Sequence, residues 1–263
     1  MNDIRANLTA PRPQGVLDDI ECGETNLLPA ALQDSDLQVK FDAWPNSDPS
    51  ETSPETLQLY WDGALVNTKV FTEELTESNR VIYVPKDSWK DKDGGHIMMY
   101  IVDAPISGES ESHPTTVTID STAPALAVPD AFILPDSIPM KNGVPTITKA
   151  FLDSFGEAGV PFTVPHWPRP KPKDQVLCHL EWSETPSSNP IYTLTVEYET
   201  IGNPVLLRLT ATMLDLNQGE GRYLSYRLAD RAGNITGYST LTKLNIDLSV
   251  AARNLPAVTV VPF

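Results

Sequence analysis

Four side chains are placed where they could contact a ligand: Trp44, Trp167, Arg169 and Lys171. Each of these tryptophans precedes a proline at what reads as a strand end, where an indole can stand in solvent and stack on a sugar face. Arg169 and Lys171 lie in Pro165-His166-Trp167-Pro168-Arg169-Pro170-Lys171-Pro172-Lys173, the basic run of the chain. Alternating prolines hold such a run as an extended left-handed helix with its bases in solvent. A stiff loop is the default reading, and a ligand for a peptide-binding domain is the sharper one. The matching loop of the first half, residues 46–55, is acidic instead, which argues against a function common to both loops.

Other constellations fall short of a site. Asp87, Asp91 and Asp93 before Gly94-Gly95 are the acids that come nearest to calcium, which takes several oxygens around a tight turn. Their spacing misses the twelve-residue calcium loop, and no bidentate Glu closes it. Asp120-Ser121-Thr122 has too few acids beside it. His96, His113, His166 and His179 share no metal-ligand spacing with each other or with the cysteines. No nucleophile elbow, phosphate loop or dinucleotide fingerprint occurs. The expectation is therefore no catalytic, cofactor-binding or metal-ligating residue, with calcium the minor alternative.

The elements that would position these residues read as β-strands. Leu224, Tyr226 and Leu228 alternate along 221–229, a turn follows at Asp230-Arg231-Ala232-Gly233-Asn234, and a second strand runs through 242–247. Gly95 to Asp103, followed by Val117-Thr118-Ile119-Asp120, repeats the pattern, and each hairpin ends in Ile-Asp. Trp44-Pro45 recurs as Trp167-Pro168, and the strand carrying Trp61 recurs as the strand carrying Trp182. Both strand tryptophans are expected to anchor two sheets, with Tyr100 and Tyr226 in the core beside them. Pro85 to Trp89 and Thr210 to Leu214 read as single helical turns, with Trp89 and Leu214 as apolar plugs.

The fold expected is all-β: two tandem Ig-like (fibronectin-III-like) antiparallel β-sandwiches. A disordered stretch at 1–8 precedes a first sandwich at 9–121 and a second at 122–252. Residues 253–263 repeat the opening of the second unit, so they read as a tail or the first strand of a further module.

A chain of 263 residues is ample for two such cores. The formal charge of −16 is uneven: net −14 over residues 1–122 and −2 over the remainder. A field of that sign repels phosphate backbones, so nucleic acid is not an expected partner. No apolar span of membrane length occurs, and the N-terminus has no secretory apolar region. Cys22 and Cys178 fall one per unit, which leaves no pair for a bridge within a unit.

With Tyr226-Arg227-Leu228-Ala229-Asp230-Arg231-Ala232-Gly233-Asn234-Ile235-Thr236 on the page, the second unit resembles bacterial Ig-like repeats, whose late hairpin often reads Tyr-x-x-x-Asp-x-Ala-Gly-Asn-x-Ser/Thr. The first unit keeps Tyr-x-Val-Asp but continues Ala104-Pro105-Ile106-Ser107-Gly108, a divergent member. The resemblance implies a spacer, presentation stalk or adhesive region of a large surface or secreted protein, outside the cell or on its surface. Its protein or glycan ligand is unspecified. Two alternatives stand beside it: a carbohydrate-binding module using Trp44 or Trp167, and a scaffold or targeting part of a toxin or injected effector, which would allow a cytoplasmic location.

Overall fold

The computed structural model describes residues 7–90, 92–125, 127–186, 189–197 and 200–249. Seventeen strands and a few single helical turns form two β-sandwiches in tandem. The first is built from β1 (Asn7–Leu8), β2 (Arg12–Pro13), β3 (Leu37–Lys40), β4 (Glu55–Trp61), β5 (Ala64–Phe71), β6 (Val81–Val84), β7 (Gly94–Ala104), β8 (Gly108–Ser112) and β9 (Thr115–Ile119). One sheet runs β2-β3-β6; the other runs β1-β8-β7-β4-β5, with β9 also paired to β7. The second repeats the plan with β10 (Met140–Lys141), β11 (Val144–Thr148), β12 (Val160–Val164), β13 (Gln175–Glu181), β14 (Tyr192–Thr195), β15 (Val205–Leu209), β16 (Gly219–Ala229) and β17 (Thr242–Asp247). Here β12 pairs β15 in one sheet, and β10-β11-β17-β16-β13-β14 make the other.

Alternation sets each core. Along β4, Glu55, Leu57, Leu59 and Trp61 point inward, and along β7 so do His96, Met98, Tyr100, Val102 and Ala104. They pack on Leu37, Val39, Ile82 and Val84 of the facing sheet. In the second sandwich Val176, Cys178, Leu180, Leu224, Tyr226 and Leu228 meet Phe162, Val164, Leu207 and Leu209. The helical turns fall where expected, at Lys86–Ser88 and at α2 (Ala211–Asp215), with Trp89 and Leu214 buried as plugs. Another short helix, α1 (Lys149–Asp153), follows β11 and is capped by the Thr148 hydroxyl, which accepts from Phe151 N–H.

Both copies solve one problem in the same way. The strand beside β7 is broken at His113-Pro114, and a proline offers no N–H to a ladder. There Tyr100 N–H donates to the Ser112 hydroxyl at 2.9 Å. In the second copy Tyr226 N–H donates to the Ser239 hydroxyl at 3.0 Å. Each serine thus stands in for a missing carbonyl at a buried site.

Two expectations change. Residues 7–8 are not disordered: β1 pairs in parallel with β8, and Leu8 sits in the first core because its apolar side chain fills the sheet end. Trp182 does not anchor the second sandwich. Leu59 pairs with Tyr100 and Cys178 with Tyr226, an offset of 119 (178 − 59), so Leu180 takes the place of Trp61. Trp182 falls two residues later, beyond β13, and is 68% exposed, whereas Trp61 is 2% exposed. Residues 250–263, including the expected tail or further strand, lie outside the described residues.

Ser112→Ala and Ser239→Ala should each leave a buried N–H without an acceptor, destabilising their own sandwich by about 1–3 kcal/mol. Urea unfolding of each variant measures this; unchanged midpoints would contradict it.

Candidate functional site

Trp44 and Trp167, expected in solvent, are each 5% exposed and belong to the two cores. For Trp44 the cause is a buried carboxylate that sequence reading overlooked. Trp44 Nε1 donates to Glu55 at 2.6 Å, and the same carboxylate accepts from Ser47 Oγ at 2.8 Å and Asp48 N–H at 3.0 Å. The indole is turned inward by a charged acceptor at the head of β4, and Phe41 and Phe71 pack around it. At the offset of 119 (174 − 55), Asp174 replaces Glu55 at the head of β13. Asp174 accepts from Lys171 N–H at 2.9 Å, while Trp167 Nε1 makes no hydrogen bond of normal geometry among the described residues. Burial pushes Asp174 up to about 6, against the opposing pull of the Lys171 N–H and the neighbouring Trp167 indole.

Arg169 is exposed, with a left-handed backbone (φ 54°), and stays on the surface of the basic loop. Lys171 does not project freely into solvent as expected. Its Nζ lies 2.7 Å from Glu24 and 2.7 Å from Asp120, so the cation of the second sandwich is bound to two anions before it. The first half, rich in acid, supplies the counter-charges that draw this lysine in. Burial disfavours the charge on Lys171, but the two carboxylates outweigh it and raise its proton affinity well above the ordinary value. Glu24, also opposed by burial, is held below its ordinary range by Lys171 and then by Arg231.

Around this pair the junction is hydrogen-bonded from both sides. Gln33 Nε2 and Asn234 Nδ2 each donate to the Asp120 carbonyl at 2.7 Å. Ala30 N–H donates to Ala232 O at 2.8 Å, and Arg231 donates to the carbonyls of Glu24 and Asp18. The Asp230–Asn234 turn supplies three of these groups because it is itself rigid: Asp230 Oδ1 accepts from Gly233 N–H and Asn234 N–H, both at 2.8 Å. The motif that carried the sequence resemblance is thus a clasp on the preceding sandwich. Sequence reading treated it only as a hairpin turn.

Of the acids considered for calcium, Asp93 is engaged by the residues that follow β9. Asp93 Oδ1 accepts from Ser121 N–H at 2.7 Å and Ser121 Oγ at 2.6 Å, and its Oδ2 accepts from Thr122 Oγ1. Asp91 lies outside the described residues, and no group of three metal-ligating side chains converges among those described. Cys22 and Cys178 are both free thiols, the first exposed and the second buried. No described helix is long and apolar enough to cross a membrane.

No family model and no curated protein matches this chain. Several solved structures are similar to it. One is an adhesin of an Antarctic bacterium, described as Ca2+-stabilized and as binding ice, at 13% identity over 93% of this chain and 50% of that one, TM-score 0.41. Another comprises the fibronectin(III)-like modules of Clostridium thermocellum CbhA, at 12% identity over 90% of this chain and 93% of that one, TM-score 0.41. A third is the FN1–FN3 region of chicken CNTN1, at 9% identity over 91% and 69%, TM-score 0.36. The chain spans half the length of the adhesin chain. At these values the likeness says nothing about function, and the fold rests on the strand pairing given above.

Asp174 titrates near 6 when folded against an ordinary 3.8, so the native state holds the extra proton between those values. The second sandwich should therefore gain stability as pH falls from 7 towards 4, and Asp174→Asn should reduce that gain, leaving the smaller part that buried Asp230 also contributes. Thermal unfolding from pH 7 to 4.5 reads it; a wild type and variant with parallel profiles would contradict it.

Proposed function

We propose that this chain is a non-catalytic, extracellular two-sandwich element that spaces or presents a neighbouring binding region at a fixed geometry. The observation that carries this reading is the junction: Lys171 bound to both Glu24 and Asp120, enclosed by hydrogen bonds from Gln33, Ala30, Asn234 and Arg231. Adjacent domains ordinarily move relative to one another unless their contact is extensive. A spacer must resist that motion, and a two-anion, one-cation bridge backed by main-chain bonds does so. Lys171 is 40% exposed at its side chain while Glu24 and Asp120 are about 15% exposed, so the bridge is only partly screened by salt. The acidic first sandwich keeps copies apart and soluble, which suits an element displayed at high density. The junction takes no part in chemistry: its carboxylates are committed to Lys171, Arg231 and the linker backbone.

Small-angle scattering tests this directly. The wild type should fit a single arrangement of the two sandwiches. A Lys171→Ala, Arg231→Ala double variant should keep both folded, by circular dichroism, yet require a spread of arrangements. A wild type that already needs such a spread would overturn the spacer reading.

A further inference from the structure

Of the five tryptophans, four are between 1% and 5% exposed, and Trp182 is 68% exposed. An exposed indole of that size is not explained by packing. One face of its ring lies against the Arg222 guanidinium, and its edge lies over Gly219, where any added Cβ would sit 3.1 Å from Cζ3. The ring therefore lies flat on the sandwich, its inner face covered and its outer face in solvent.

Arg222 is fully buried and built to hold the ring. Nε donates to Asn217 O at 2.7 Å and Nη2 to Gln218 O, while no carboxylate pairs with it among the described residues. The first sandwich places a tryptophan differently. His96, four residues before Tyr100 as Arg222 is before Tyr226, stacks on buried Trp61 and contacts Lys92 O through Nε2 at 2.8 Å. There the strand ends in the two-residue Asp62-Gly63 turn, both with positive φ, which keeps Trp61 inside. In the second copy Leu180 fills the place of Trp61, and Trp182, two residues on, stands outside the core.

A surface recess of about 330 Å³ shares Gly219 with the ring's edge, and its mixed lining comprises Lys141, Gln218, Glu220, Asn245, Ile246 and Asp247. On another side Tyr223 Oη donates to Glu184 at 3.1 Å. A flat aromatic face next to a recess that carries amides, carboxylates and an ammonium suits a ring with one apolar face and hydroxyls at its edge. The guanidinium beneath the indole already uses its π-density, so a second cation on the outer face is disfavoured. The carboxylates of Glu220, Asp247 and Glu184 nearby disfavour an anionic ligand. We propose that Trp182 and the adjoining recess bind a pyranose ring of a neutral oligosaccharide. This does not depend on the junction or on the spacer reading.

Because the other tryptophans are buried, acrylamide quenching reports on Trp182. Cellohexaose, xylohexaose and mannohexaose serve as probes, with binding measured by calorimetry. At least one should bind and protect Trp182 from quenching; Trp182→Ala should weaken it by about tenfold or more, as loss of a central aromatic contact does. Trp182→Tyr should retain part of the affinity. Melting temperatures verify that each variant is folded. No binding by any of the three sugars, or binding unchanged in Trp182→Ala, would overturn the proposal.

Discussion

The carbonyl oxygen of Asp120 accepts hydrogen bonds from both sandwiches, from Gln33 on one side and Asn234 on the other. Its carboxylate meanwhile holds Lys171 and the backbone of Thr122. A linker residue tied at its main chain and side chain at once has little freedom left, and the sandwiches it joins inherit that restraint. Much follows from this constraint. The Asp230–Asn234 turn is rigid so that Asn234 reaches Asp120. The basic loop folds back because Asp174 takes the N–H of Lys171. The uneven charge of the chain becomes useful, since the acidic half provides the anions that the basic loop meets.

Each sandwich obeys the same internal rule. A long strand, β7 or β16, carries the tyrosine and pairs with neighbours on both sides, and a serine hydroxyl completes its hydrogen bonds where the neighbouring strand breaks. The head of a strand paired with it, β4 or β13, carries a buried acid under the Trp-Pro loop. The copies differ in how well that acid is satisfied. Glu55 has three donors, whereas burial leaves Asp174 with a raised proton affinity.

The strand pattern was legible because period-two alternation is a local property, and Tyr100 and Tyr226 stand in equivalent places as their hairpins suggest. Aligning Trp61 with Trp182 failed because similar residues were matched without the pairing register, which only Leu59 opposite Tyr100 and Cys178 opposite Tyr226 define. Similarly, Asp103 follows Tyr100 by three residues and Asp230 follows Tyr226 by four, so they face opposite ways: Asp103 is exposed and Asp230 buried. Trp44 and Trp167 looked like surface residues because proline follows them. For Trp44 the signal that would have placed it inside was an acid at the head of an alternating strand, Glu55, which a reading focused on apolar positions passes over. The role of Lys171 was beyond sequence reading, since Glu24 and Asp120 meet it only once two separate cores have formed.

Residual dipolar couplings in a weakly aligned sample measure the orientation of each sandwich independently. Fixed by the bonds around Asp120 and Lys171, the two halves should share one alignment tensor, with equal magnitude and axes in the frame of this structure. Two tensors of clearly different magnitude would show that the halves reorient freely, and the account of the junction as a rigid clasp would fail.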